Sequence, residues 1–203
     1  MNDHGADPAT GSVFNVPNQL TAARLALALV LFGFLSGRYY ATSLVLFLIA
    51  AGTDWLDGYW ARKYGQVTVL GRILDPFADK IIVCGSFVFL AAEPESLVTA
   101  WMAVVVLGRE LLVTALRSFL EERGHDFSAS RAGKWKMVVQ CAAVAVCLYR
   151  LSYQPTVAGA APWVSPPPLW LGWTVLAAAW FAVALTVYSG VGYVVAAIGL
   201  MRK

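Results

Sequence analysis

The chain has 203 residues, of which 59% are hydrophobic and only 13% charged, and its mean hydropathy is +0.66. Soluble domains usually carry about 25% charged residues, so this composition excludes an ordinary soluble protein and favours one membrane domain. The net charge of +3 is small, and we expect no nucleic-acid partner.

Two domain-level expectations follow from the N-terminal sequence. Residues 1–15 hold acids and small residues without a basic n-region, so they are predicted to form a flexible tail and not a targeting peptide. Residues 16–203 are predicted to form the membrane domain. The three cysteines lie inside apolar runs, which argues against a disulfide framework or a metal cluster.

Six apolar runs follow one another along the chain, and each is long enough for most or all of a bilayer crossing. We expect an all-α integral membrane protein with six transmembrane helices, at about 20–35, 40–60, 71–90, 97–119, 135–151 and 170–201.

The lysines and arginines between these runs indicate the orientation. They concentrate after the second and fourth runs and at the C-terminus, which all lie on one side of the membrane if each run crosses it once. Arg38 and Arg150 are the basic residues expected on the opposite side. Because basic loops stay in the cytoplasm, both termini are expected to be cytoplasmic. Trp163, Trp170 and Trp173 are expected to form an aromatic belt at the outer interface.

Two pairs of aspartates lie at the cytoplasmic ends of the second and third predicted helices. Asp54 and Asp57 are three residues apart and Asp75 and Asp79 are four apart, so the members of each pair share a helix face. If the two helices face each other, four carboxylates converge, and divalent cations would relieve their repulsion. Oxygen-only ligands favour Mg²⁺ or Mn²⁺, and two such ions suit a displacement at phosphorus.

Simpler interpretations of these acids remain open. Asp75 precedes Pro76, a pattern that is typical of a helix N-cap followed by proline. Acids inside a membrane helix also occur in ion pathways, so a small ion-coupled transporter or a non-catalytic scaffold is the alternative of another class. Against transport, the acids cluster at one edge, and we expect none near the centres of the other helices.

The stretch from Asp54 to Asp79 resembles the signature of the CDP-alcohol phosphotransferase family. Its fixed positions are Asp54, Asp57, Gly58, Ala61, Arg62, Gly71, Asp75 and Asp79, with eight residues between Arg62 and Gly71. The resemblance implies a six-helix enzyme of the bacterial cytoplasmic membrane, commonly a homodimer, with its active site at the cytoplasmic side.

The resemblance also implies roles for individual residues. Asp54, Asp57 and Asp75 would bind two metal ions, Mg²⁺ or Mn²⁺, and Asp79 would approach the metals and act as the general base. Residues that would line the CDP-diacylglycerol site are Gly58, Ala61, Arg62 and Thr68, together with Asn18 and Thr21 in "VPNQLTAAR".

The second half of the chain concerns the acceptor. "GRELLVTALRSFLEERG" and "AGKWKMVVQ" resemble the family members whose acceptor is glycerol 3-phosphate, and Arg109, Arg117, Lys134 and Lys136 would bind its phosphate. Arginine binds phosphate through two parallel hydrogen bonds, which agrees with that expectation. The alternative for Arg109 is an internal ion pair with Glu110 or with an acid of another helix.

The expected reaction transfers the phosphatidyl group of CDP-diacylglycerol to glycerol 3-phosphate and releases CMP. Other acceptors within the family remain open, namely inositol phosphate, phosphatidylglycerol, serine and choline. Inositol phosphate would call for the same cations as glycerol 3-phosphate, and a neutral or zwitterionic acceptor would not.

Overall fold

The computed structural model describes residues 16–64, 69–122, 131–154 and 166–201. The predicted tail of residues 1–15 lies outside this part, as do Thr68 and Trp163. Within the helices, the side chains of the acid-rich stretch from Asp54 to Pro76 are not described either.

Six α-helices make up the described part of the chain, with one short 3-10 helix at Pro94–Ser96. They are α1 Val16–Ser36, α2 Tyr40–Tyr64, α3 Val69–Ala91, α4 Ala100–Glu122, α5 Arg131–Leu151 and α6 Leu169–Met201. The all-α prediction and the number of helices are confirmed, and every predicted helix has its counterpart within a few residues.

The turn between α1 and α2 is a helix C-cap of the Schellman type. The Arg38 amide donates to the Leu35 carbonyl at 3.0 Å, and the Tyr39 amide donates to the Phe34 carbonyl at 2.9 Å. Arg38 takes a left-handed backbone with φ 59°, the conformation that this cap requires. The Phe34 and Tyr39 rings pack edge to face at 5.9 Å, which completes the motif.

Opposite-charge pairs stabilise the end of the bundle that carries this turn. Arg38 Nε lies 3.4 Å from Glu93 Oε2, and the Tyr40 hydroxyl donates to the same oxygen at 2.8 Å. Arg150 forms a second pair with Glu95 at 3.8 Å. The two basic residues assigned to this side by the sequence are therefore both paired. We call this end, where α1, α3 and α5 finish, the far end.

The opposite end is where α2 finishes and α3 begins, and we call it the acid-pair end. Helices α4 and α5 run antiparallel, because Lys136 near the start of α5 contacts the middle of α4, whereas Arg150 near its end contacts Glu95 before α4. Gly172, near the start of α6, lies beside Arg150, so α6 runs antiparallel to α5.

The core runs through the whole bundle, and each helix contributes at least one side chain with no exposed surface. These side chains are Leu31, Phe47, Phe87, Val106, Val144 and Val175. Helix α1 packs against α2 and α3, α5 packs against α2 and α6, and α4 packs against α3 and α6. The helices therefore form one bundle around a main apolar core, and a second, smaller apolar cluster lies between α4 and α6 at Val113, Leu120, Tyr193 and Ala197.

The outer surface of the bundle is also apolar. Large side chains such as Trp101, Trp173 and Leu29 are mostly exposed, as expected for helices surrounded by lipid. By length and composition, the described helix Leu169–Leu200 qualifies as a membrane span, and shorter apolar stretches lie at Ala22–Ser36, Tyr40–Thr53 and Lys80–Ala91.

Candidate active site

The backbone places both aspartate pairs at the acid-pair end. Asp54 and Asp57 lie in the C-terminal half of α2, and Asp75 and Asp79 lie in the N-terminal half of α3. The two helices contact each other and are separated by only residues 65–68. Their carboxylates lie outside the described side chains, so convergence of the four oxygens around metal ions stays a prediction.

The other residues expected at the CDP-diacylglycerol site are placed by backbone alone or not at all. Asn18 and Thr21 lie in α1, and Gly58, Ala61 and Arg62 lie in α2. Their side chains are outside the described set, as is Thr68 with its backbone. The assignment of these residues to the nucleotide stays a prediction.

Lys80 directly follows Asp79 in α3, and its side chain forms a polar contact with α4. Its Nζ donates a hydrogen bond to Thr114 Oγ1 of α4. Thr114 Oγ1 in turn donates to the Glu110 carbonyl at 2.7 Å. Lys80 therefore connects the helix of the second aspartate pair to the middle of α4.

Glu110 is a buried carboxylate held between two cations. It is the eleventh residue of α4, ten after Ala100 and twelve before Glu122. Its Oε1 accepts a hydrogen bond from Arg109 Nη1 at 3.1 Å and another from Lys136 Nζ of α5. Only about 8% of its side chain is exposed, so water screens these ion pairs weakly.

This position corrects one sequence argument. We expected no acid near the centre of a helix other than α2 and α3, and counted that against transport, yet Glu110 lies at the middle of α4. The expected alternative for Arg109, an internal ion pair with Glu110, is what the structure contains. Any part of Arg109 in acceptor binding must therefore coexist with this pair.

Arg109 also ties α4 to α6. Its Nη2 donates to Ser189 Oγ at 2.7 Å, and its guanidinium carbon lies 5.4 Å from the centre of the Tyr193 ring, a cation–π distance. Gly190 makes the close approach possible, because a Cβ there would lie 3.1 Å from Arg109 Cγ. The side chain is thus fixed on three sides by Glu110, Ser189 and Tyr193.

A cavity of about 310 Å³ lies beside Arg109 between α4 and α6. Its other lining residues are apolar: Leu112, Val187, Gly190, Val191, Val194 and Val195. Phosphate needs several hydrogen-bond donors, so this cavity does not resemble a phosphate site.

Arg117 lies about two turns after Arg109 on α4, and its side chain is half-buried. Its Nε is buried and has no hydrogen-bond partner among the described residues. Arg117 and Arg109 both act electrostatically on Lys80, so these cations are near neighbours. The side chain of Lys134, the fourth residue predicted for the acceptor phosphate, is not described.

We use the name cation cluster for Lys80, Arg109, Arg117 and Lys136 together with Glu110. Four positive groups and one negative group leave a net charge of +3 in a largely apolar bundle. Repulsion among the cations favours binding of an anion. The cluster spans α3, α4 and α5 and is held to α6 through Ser189.

Sequence reasoning missed two members of this arrangement. Lys80 had a visible signal, since it is a basic residue at the start of an apolar run and directly after a signature aspartate. Ser189 had none, because a serine in an apolar helix usually bonds to its own backbone. Its contact with Arg109 depends on packing between residues 80 positions apart.

The sequence is similar to those of known proteins. Residues 14–188 match the family model described as CDP-alcohol phosphatidyltransferase. The chain is 38% identical over 158 residues to the CDP-diacylglycerol--glycerol-3-phosphate 3-phosphatidyltransferase of Bacillus subtilis (strain 168), covering 70% of this chain and 81% of that one. It is 34% identical to the protein of the same name from Pseudomonas fluorescens, covering 90% of each chain, and 32% identical to that of Escherichia coli (strain K12), covering 91% and 95%.

Proposed function

Since the chain belongs to the CDP-alcohol phosphatidyltransferase family, we propose that it transfers the phosphatidyl group of CDP-diacylglycerol to glycerol 3-phosphate, giving phosphatidylglycerol phosphate and CMP. The observation that carries this proposal is the match to the phosphatidyltransferases of Pseudomonas fluorescens and Escherichia coli, which extends along at least nine-tenths of both chains.

The cation cluster supports an anionic acceptor. Its net charge of +3 matches a phosphate-bearing alcohol such as glycerol 3-phosphate better than serine or choline, which carry no net negative charge. Arg117 is the strongest candidate contact, because its Nε has no hydrogen-bond partner among the described groups and, unlike Arg109, it has no described bond to Glu110 or Ser189. Lys80 is a further candidate, since it lies between Asp79 and α4.

The donor set of the two aspartate pairs fits divalent metal ions. It contains carboxylates only, which is the ligand chemistry of Mg²⁺ and Mn²⁺. Asp54, Asp57, Asp75 and Asp79 are the residues that would hold two such ions. Bound metal would neutralise negative charge on the pyrophosphate and on the departing CMP.

The chain's own residues would act as follows. Asp79 accepts the proton of the primary hydroxyl of glycerol 3-phosphate, while Arg117, Lys134 and Lys136 hold its phosphate. The alcohol oxygen forms a bond to the phosphorus that carries diacylglycerol, and the bond from that phosphorus to CMP breaks. Asn18, Thr21, Gly58, Ala61, Arg62 and Thr68 would hold the CDP group.

One assay tests the reaction and its acceptor. Purified protein in detergent is given CDP-diacylglycerol and Mg²⁺, and CMP release is measured with glycerol 3-phosphate, inositol phosphate, serine or phosphatidylglycerol. We expect release with glycerol 3-phosphate. Release only with another acceptor would replace the proposed substrate, and none with any acceptor, in Mg²⁺ or Mn²⁺, would refute the enzyme proposal.

Replacement of Asp79 by asparagine tests the proposed base. A positioned proton acceptor contributes about 10²–10⁴-fold to a rate, so Asp79→Asn should reduce CMP release by at least that order. Size-exclusion elution and melting temperature should stay close to the parent values. The matched control is Glu95→Gln at the far end, which removes one carboxylate and should retain activity. Normal turnover of Asp79→Asn would rule out the assignment.

The cellular setting is part of the same proposal. The apolar surface, the long apolar α6 and the bacterial relatives support a bacterial membrane protein. We propose six crossings of the cytoplasmic membrane, with both termini in the cytoplasm and membrane lipids around the bundle. The acid-pair end would face the cytoplasm, where glycerol 3-phosphate is available. We also propose a homodimer, by family resemblance, to be tested by cross-linking in membranes.

A further inference from the structure

We propose that Glu110 is a positioning residue for the acceptor site, which holds Arg109 and Lys136 at one shared oxygen so that the cation cluster keeps a fixed shape. This inference rests on the proposed function for its substrate. It assigns a role to a carboxylate that lies outside the family signature between Asp54 and Asp79.

The contacts of Glu110, either direct or through one further residue, reach α3, α5 and α6. Its Oε1 receives both Arg109 Nη1 and Lys136 Nζ, and its backbone carbonyl receives Thr114, the partner of Lys80. Through Arg109 it also reaches Ser189 of α6. One residue therefore links α3, α4, α5 and α6 at the same level of the bundle.

Electrostatics explains why a carboxylate is needed at this point. Arg109 and Lys136 are both largely buried, and two buried cations that share a neighbour repel each other strongly at low dielectric. A carboxylate between them removes that repulsion and sets the directions of both side chains. Without it, the cations would separate towards water and leave the phosphate with a less ordered set of donors.

Glu110 also limits the charge of the site. Arg109 already donates to Glu110 through Nη1 and to Ser189 through Nη2, so its terminal nitrogens are engaged before any substrate arrives. Lys80 is also near enough to Glu110 to interact with it electrostatically, but its described hydrogen bond goes to Thr114, and no direct carboxylate contact is described for Arg117. We therefore assign Arg109 and Glu110 to holding the cluster in shape. Arg117, Lys80 and Lys136, which also contacts Glu110, are the groups that bind the anion.

A purely structural role makes a different prediction, and kinetics separates the two. In the variant Glu110→Gln the size is kept and the charge is lost. Positioning predicts that KM for glycerol 3-phosphate rises by about tenfold to a hundredfold, the range for losing a hydrogen bond to a charged group. KM for CDP-diacylglycerol should change by no more than about twofold, because loss of a hydrogen bond between a charged group and that substrate would raise it by more. A fold-only role predicts less active protein with both KM values unchanged.

A second variant tests the partnership with Lys136. Lys136→Met alone should raise KM for glycerol 3-phosphate. In the double variant with Glu110→Gln, the total rise in KM should be much smaller than the product of the two single rises, because the effects of residues in one network are not additive. Glu95→Gln serves as the control for loss of a carboxylate and should leave both KM values unchanged. Multiplicative effects of the two variants would overturn the proposal.

A binding measurement keeps this test separate from the reaction itself. Inorganic phosphate should raise the melting temperature of the parent protein, by mass action, and raise that of Glu110→Gln less. Equal shifts in the two proteins, or no shift in either, would overturn the positioning role. Absence of CMP release from the parent protein with every acceptor would instead refute the proposed reaction, and the melting data would still decide the role of Glu110.

Discussion

At the scale of single residues, the second half of the chain depends on a few ionisable side chains in apolar helices. Such groups are costly to bury and persist where they are paired or functional. Arg109 and Lys136 both bind Glu110. A buried Nε without a hydrogen-bond partner in the described part of the chain occurs in both Arg109 and Arg117, but only for Arg109 is a carboxylate partner described. The two kinds of cation are therefore expected to respond differently to mutation.

Arg117 gives the clearest prediction at this scale. Arg117→Ala should raise KM for glycerol 3-phosphate by about tenfold to a hundredfold, since it removes a charged hydrogen-bond donor. Arg117→Lys should recover only part of the loss, because lysine binds phosphate as a point charge and not through two parallel bonds. Initial rates at varied glycerol 3-phosphate measure both effects. An unchanged KM in Arg117→Ala would remove this residue from the acceptor site.

The residues of the cluster show what a sequence can reveal. Arg109, Arg117 and Lys136 were recognisable, because a basic residue in or beside an apolar run is rare. The sharing of Glu110 by Arg109 and Lys136 was not recognisable, since it joins residues 26 positions apart and depends on how α4 and α5 are rotated. For the aspartate pairs, the sequence predicted both the shared helix faces and the common end of the bundle, and the backbone of α2 and α3 agrees with the common end.

At the scale of helices and turns, apolar run length predicted the six helices well, and the errors lie at their ends. Helix α5 begins at Arg131, four residues before the predicted start, because polar residues continue a helix once it leaves the apolar layer. The end of α1 differs from the usual pattern in its cap residue. Glycine is the usual left-handed cap residue, yet here Arg38 and not Gly37 takes the left-handed position.

The backbone of Arg38 leads to a prediction about stability. A left-handed conformation costs a non-glycine residue about 1–2 kcal/mol, whereas an exposed ion pair such as Arg38–Glu93 contributes about 0–1 kcal/mol. Arg38→Gly should therefore unfold at a higher temperature than Arg38→Ala, although both lose the ion pair.

Arg150 is the matched control for this comparison. It lies in the last turn of α5 with an ordinary helical backbone, and glycine in a helix is about 1 kcal/mol less favourable than alanine. Arg150→Gly should therefore unfold at a lower temperature than Arg150→Ala. Thermal unfolding in one detergent measures all four variants, and the same order of glycine and alanine at both positions would contradict the explanation.

At the scale of the whole molecule, the two ends of the bundle differ in charge. The far end neutralises Arg38 and Arg150 with Glu93 and Glu95. In the sequence, the other basic residues outside the apolar runs follow the second and fourth runs or come at the C-terminus. Pairing at the far end therefore sharpens the charge bias that the sequence already indicated, and it supports a cytoplasmic acid-pair end.

Labelling of single cysteines tests this orientation. Cys84, Cys141 and Cys147 are replaced by alanine, and one cysteine is introduced either at Glu95, at the far end, or at Ser128, in the connector between α4 and α5. A membrane-impermeant maleimide should label Glu95→Cys in intact bacteria and Ser128→Cys only after lysis. The reverse pattern would invert the proposed topology.

The Arg109–Ser189 hydrogen bond has a consequence for biosynthesis. Under the proposed membrane topology, α4 leaves the ribosome before α6, so Arg109 and Glu110 would enter the bilayer before Ser189, the partner of Arg109, has been made. During that interval the pair is exposed to lipid on the side that α6 later covers. Until α6 packs against α4, Arg109 lacks both its hydrogen bond to Ser189 and the Tyr193 ring, so we expect the bundle without α6 to be less stable than the complete one.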